Sequence, residues 1–330
     1  MSLKNSPTDL HILIQQALAE LGSTADPTAI ASLVQRLNFG LPAEDEFCVI
    51  CAWLGRCRLL HKLDQVQVPR SSVEVFQVPD LLAMFDSFSP VLIEVKSKAN
   101  KKLSFTPEYY AKLIRYADSM KMPLLVAWKH HSIWTLFDIR HLKLARTNFN
   151  IDFNEAMRQN LLGILVGDVS YKISAGAGVH LVFAKERLIS TEHAANDAYT
   201  ETWEMRVSEV AFTTGGGQPA KLTAETSQLL ATWDMAESEE HTETSIKKSF
   251  YANGDGMEFG HRALVHLLDW EGKERDAGGW RDLMRKSEIT RSISDFNAAL
   301  QRAMAEGVVS HVFNQVPVDV PDFLSESQIG

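Results

Sequence analysis

With 330 residues, 45% of them hydrophobic and 23% charged, the chain has about two domains' worth of length and can bury a substantial core, which excludes a disordered or fibrous protein. The formal net charge of −9 excludes a protein that coats nucleic acid by bulk electrostatics. That charge is uneven: residues 1–196 hold 21 basic and 19 acidic residues, a net of +2, whereas residues 197–330 hold 12 and 23, a net of −11.

The N-terminus, MSLKNSPTDL, lacks the basic-then-apolar layout of a secretory signal, and no run of about 18 apolar residues follows it. The expectation is a soluble cytoplasmic protein with no membrane partner. Cys48, Cys51 and Cys57 fall within ten residues, too few and too odd for a disulfide framework, and read as buried helical cysteines.

In chain order, residues 1–40 predict a helical preface of two amphipathic helices, over 8–21 and 27–38, the second opened by Asp26 before Pro27. Pro42 opens a third helix, AEDEFCVICAWLGRCRLL, with acidic residues in the first turn where the helix dipole favours them. VQVP, VEVFQV and VLIEVK predict strands; PEYYAKLIRYADSM predicts a helix, and PLLVAW and IWTLFDI two more strands joined by a turn at His130 and His131. FNEAMRQNLLG reads as a helix, and ILVGDVSYKI and VHLVFAK as strands around the turn SAGAG. Residues 197–256 read as a connector, with a strand at WEMRVSEVAF, a flexible Gly215-Gly216-Gly217 and a mobile acidic stretch over 236–256. Residues 257–330 predict three helices ending in a strand, the outline of a winged-helix unit.

Chemistry concentrates in VFQVPDLLAMFDSFSPVLIEVKSKANKK. Alternation along VLIEVK puts Ile93 and Val95 on one face, and Glu94 and Lys96 on the other. Asp80, after Pro79 at the end of the preceding strand, is brought close by a hairpin-like connection. Two carboxylates among apolar strand residues are costly unless they bind a cation. Hard oxygen ligands with open positions suit Mg2+ or Mn2+, and Lys96 beside them suits orienting or deprotonating a water, or neutralising a phosphoryl transition state.

The order of an acidic first helix, Pro79-Asp80, then Glu94-Val95-Lys96 and a following helix and strand resembles the PD-(D/E)xK, or restriction-endonuclease-like, nuclease superfamily. Its short motif spacing looks most like the Holliday-junction-resolvase-like branch. The resemblance covers residues 44–140, extending towards 185, within a domain drawn over 41–196. It implies an α/β fold, a central mixed sheet flanked by helices, and metal-dependent cleavage of DNA. It further implies that Asp80, Glu94 and the Val95 carbonyl hold the metal and that Lys96 is the catalytic lysine. An acidic residue of the first helix often completes such a site; Glu44 and Glu46 both qualify, on different stripes, and Glu46 is preferred.

Lys98, Lys101 and Lys102, with Lys112 and Arg115 on the next helix, would track phosphates. Tyr109, Leu113 and Tyr116 form a packing stripe, which leaves Tyr110 as the active-site neighbour. Asp168 reads as an edge or bulge residue. Between 257 and 318 there are 8 basic and 9 acidic residues, so a protein partner or homodimer contact through the C-terminal acidic half is expected at least as much as reading DNA. The expected function is a Mg2+- or Mn2+-dependent DNA endonuclease, with an RNA substrate or a non-catalytic scaffold of the same fold as alternatives.

Overall fold

A computed structural model describes residues 43–325, apart from 87, 194–198, 273–278 and 287. The preface expected over 1–40 lies outside the described residues. The first described helix, α1, covers 43–54 and stops well short of the expected end. Gly55 adopts φ 88°, a left-handed conformation that closes a helix at little cost only in glycine. The chain then turns into β1 (Cys57–Lys62), so Cys57 lies on a strand while Cys48 and Cys51 are buried on α1.

The segment 63–80 departs from expectation as well. The first half of VEVFQV lies in a single helical turn, α2 (Ser72–Val75), with Val73 and Val75 exposed, and 76–78 form no strand. The strand of this region is instead β2 (Leu81–Phe85), and Asp80 immediately precedes it. β2 returns as β3 (Val91–Ser97). A crossover through β4 (Lys102–Phe105) and α3 (Pro107–Met120) then leads to β5 (Leu124–His130), and a tight turn to β6 (Ile133–Asp138). α3 is started by the Thr106 side chain, which accepts from the Tyr109 N–H, with Pro107 in the first turn.

These strands form a mixed sheet in the order β1-β2-β3-β5-β6, where only β3 and β5 are parallel. A parallel pair requires such a crossover, and α3 supplies it. Both faces are covered. Ile93, Val95, Leu125, Ala127, Trp134 and Leu136 pack with Phe47 and Ile50 of α1 on one face. Leu92, Val126, Trp128 and Phe137 pack with Leu113 and Ala117 of α3 on the other. A small sheet of β4, β8 (Asn148–Asp152) and β7 (Lys143–Ala145) closes over α3.

Beyond α4 (Phe153–Arg158), the expected strand at Ile164 is a helical turn over Leu162–Val166, closed by Gly167 at φ 89°, and β9 begins at Val169 (Val169–Ile173). Two long strands follow, β10 (Gly178–His193) and β11 (Tyr199–Thr214). The glycine triplet is an ordered turn into β12 (Gln218–Ala220), leading to the short helix α5 (Ala224–Leu229). The acidic stretch expected to be mobile is a hairpin of β13 (Ala236–His241) and β14 (Ser245–Tyr251). Its acids have partners across the strands, Lys248 bridging Glu237 (3.6 Å) and Glu239 (2.9 Å). These strands make a second sheet, β12-β11-β10-β14-β13.

The last segment carries β15 (Glu258–Phe259), α6 (Gly260–Trp270), α7 (Gly279–Leu283), α8 (Phe296–Ala305), β16 (Val309–Asn314) and α9 (Asp322–Ser325). The three helices and terminal strand are as expected, yet residues 257–325 do not pack as a separate winged-helix unit. β15 and β16 flank β9 in one sheet, and Leu264, Phe296 and Leu300 belong to the same core as α1. Asp168 at the start of β9 is a buried anchor rather than an edge residue: it accepts from the His261 backbone N–H (3.0 Å) and from His261 Nδ1 (2.7 Å). Among the described residues, no helix is long and apolar enough to cross a membrane.

Candidate active site

Asp80, Glu94 and Lys96 meet at the α3 face of the mixed sheet. β2 pairs with β3 only as far as Leu81 opposite Ile93, so the chain leaves the sheet at Asp80 beside the open side of Glu94-Val95. Asp80 Oδ2 fills part of that opening, accepting from the Val95 N–H at 2.7 Å. The N–H and C=O of a strand residue point to the same side, so the Val95 carbonyl shares this opening.

Glu94 is 1% exposed. Its Oε1 accepts from Lys96 Nζ and from the Tyr109 hydroxyl, while its Oε2 is buried with no hydrogen-bond partner among the described residues. Burial and then Asp80 push its carboxyl up to about 7, against a smaller opposing pull from Lys96. Lys96 Nζ also reaches the Val95 carbonyl (3.2 Å) and the Tyr109 hydroxyl (3.2 Å), and lies 5.4 Å from the centre of the Tyr109 ring. Burial opposes its charge, but Glu94 and Asp80 outweigh burial and hold the ammonium protonated.

An unpartnered buried carboxylate oxygen next to a second carboxylate is an electrostatically costly arrangement that a cation relieves. The donors are hard oxygens, which fits Mg2+ or Mn2+. Among the described residues, no group of three or more His, Cys, Asp or Glu side chains is close enough to hold a metal ion. The oxygens that the geometry gathers here are those of Asp80, Glu94 and the Val95 carbonyl.

The structure does not bring Glu46 to this site. Glu46 lies on the α1 face of the sheet, where Oε2 accepts from Lys129 Nζ and Oε1 from Trp134 Nε1 at 3.0 Å. Lys129, two residues from Ala127, belongs to the face opposite Glu94. Glu44 is the first-helix carboxylate that senses Asp80: burial and then Asp80 raise its pKa, and Lys62, at 2.9 Å, lowers it. Lys62 bridges Glu44 to Asp45, also at 2.9 Å.

Tyr109, rather than Tyr110, is the aromatic neighbour of Glu94 and Lys96; Tyr110 stacks on Phe149 at 3.9 Å. Tyr109 still belongs to the packing stripe, but it sits at the start of α3, where that stripe emerges over the site. Of the expected phosphate contacts, Lys98, Lys101, Lys102 and Arg115 are exposed, and Lys112 is held by Glu108 at 2.8 Å.

No curated protein matches the chain. A structural likeness to Hjc of Archaeoglobus fulgidus, a Holliday junction resolvase from an archaeal hyperthermophile, spans 35% of this chain and 89% of that one at 22% identity, with a TM-score of 0.30. Residues 63–165 match the model of the archaeal Holliday junction resolvase (Hjc) family, part of the restriction-endonuclease-like superfamily, and that segment contains Asp80, Glu94, Val95, Lys96 and Tyr109.

Proposed function

We propose that this protein is a divalent-metal-dependent nuclease that cuts branched DNA. The observation that carries the reading is the orphaned Glu94 Oε2 beside Asp80, inside the segment that matches the Hjc family. Asp80, Glu94 and the Val95 carbonyl would hold Mg2+ or Mn2+, without Glu46. A cation held there supplies charge against the phosphodiester oxygens and acidifies a water.

The chain's own groups do the rest. Lys96, charged and facing the same opening, orients the attacking water or neutralises the phosphoryl oxygens. Tyr109 is a positioning residue: its hydroxyl donates to the Glu94 carboxylate and accepts from the Lys96 ammonium, adding to the Lys96–Glu94 contact.

Digestion of a labelled four-way junction, a linear duplex, a single strand and an RNA, each with Mn2+, Mg2+ or a chelator, tests this. Cleavage of the junction that needs metal and disappears in Asp80→Asn and Lys96→Ala is expected. Wild-type protein that cuts none of them at millimolar metal would transfer the fold to the scaffold alternative.

A further inference from the structure

Residues 96–158 hold 12 basic and 5 acidic residues, a net of +7 in a chain of −9. Several of these cations are answered locally: Arg140 by Asp138, Arg158 by Glu155, Lys112 by Glu108 and Lys129 by Glu46. Lys98 and Lys101 are exposed and have no carboxylate partner among the described residues. Beside them the β5–β6 turn gathers aromatic rings. His130 lies 4.4 Å from Phe153 and 4.5 Å from His131, and 5.7 Å from Trp128, measured between ring centres.

This cluster is built rather than incidental. Trp128 Nε1 donates to the Lys98 carbonyl (3.1 Å), and so does His130 Nδ1 (3.4 Å). The Lys98 N–H donates to the Lys129 carbonyl, and the Phe153 N–H to the Lys101 carbonyl. His131, at the tip, is exposed and takes φ 54°, a conformation for which glycine or asparagine is the usual residue in a two-residue hairpin turn. Strain of this kind gathers at ligand contacts.

Position gives the cluster its meaning. Trp128 is opposite Lys96 in the β3–β5 register, so His130, two residues on, lies on the same sheet face as Glu94 and Lys96, about 7 Å further along. Partly exposed rings flanked by unanswered lysines match what unpaired nucleotides require, a surface for the base and cations for the phosphates.

We infer that His130, His131 and Phe153, with Lys98 and Lys101, form a stacking anchor for an unpaired base next to the scissile phosphate. The inference rests on the nuclease reading. It commits the substrate to nucleic acid with unstacked bases near the cut, such as a branch point.

Fluorescence anisotropy in chelator, using a labelled single strand, a four-way junction and a fully paired duplex, separates the possibilities. The full chain carrying His130→Ala with His131→Ala, checked by thermal melting, is expected to bind the single strand and junction about tenfold more weakly, with duplex binding changed less than about twofold. His130→Phe, which keeps a ring, should recover most of the loss. Unchanged binding of the single strand and junction, or an equal loss on the duplex, overturns the anchor while wild-type binding leaves the nuclease reading standing. A wild-type protein that binds none of the three overturns both.

Discussion

Glu94 and Glu46 are buried carboxylates on opposite faces of the same sheet, each next to a lysine. On the α1 face, both oxygens of Glu46 are taken, by Lys129 and Trp134, and the group is a fastener between α1, β5 and β6. On the α3 face, Glu94 shares one oxygen between Lys96 and Tyr109, leaves the other without a partner among the described residues, and has Asp80 beside it. A satisfied buried charge stabilises a fold, whereas one held unsatisfied beside a like charge is poised for a cation. Sequence position does not separate the two cases; the way the donors are shared between the two carboxylate oxygens does.

The comparison is broken most decisively by removing charge from the α3 face. Asp80→Asn is expected to lower metal-dependent cleavage by about a thousandfold or more, while its Tm without metal holds or rises, because an amide oxygen still accepts from the Val95 N–H and the repulsion with Glu94 is gone. A gel assay and a melting curve on the same preparation check both halves. Glu46→Gln should do the reverse. It leaves Lys129 without its partner on a largely buried face, which costs about 2 kcal/mol and several degrees of Tm, with cleavage by the folded protein retained.

The pH dependence of stability sharpens the contrast. The Glu94 carboxyl titrates at about 7 in the fold against 4.5 for the ordinary group. A raised value means that the folded state holds the proton more tightly, so the contribution is full below about pH 4.5 and is lost as pH rises through about 7. Its size is about 3 kcal/mol. Melting curves from about pH 5 to about pH 8 should show this decline in metal-free wild type, reversal by Mn2+ at the upper end, and a flatter profile in Asp80→Asn. The smallest effect is expected of Tyr109→Phe: cleavage falls by about three- to tenfold, chiefly through a higher metal requirement, because one hydrogen bond to Glu94 and Lys96 is lost while the ring still packs.

Much of the α3 face was legible in the amino-acid order. Two-residue alternation along VLIEVK suffices to put Glu94 and Lys96 together, since strand geometry is local. The first helix was harder. Glu44 and Glu46 both follow helical stripes, and the choice depends on how α1 lies across the sheet, which Lys62, Lys129 and Trp134 decide from distant segments. The early end of α1 was signalled by Gly55 alone within an otherwise apolar run. The acidic run 236–241 looked disordered because its partners, Lys247 and Lys248, lie across a hairpin whose pairing no helical or strand period announces. Likewise, β9 takes its neighbours from residues 258–259 and 309–314, so composition could not reveal that both halves share one core.

Calorimetric titration with Mn2+ addresses the central claim most directly. The account predicts saturable binding by the wild type and by Glu46→Gln with similar affinity, and no measurable binding by Glu94→Gln. Wild-type-like binding by Glu94→Gln, or loss of binding in a well-folded Glu46→Gln, would contradict it.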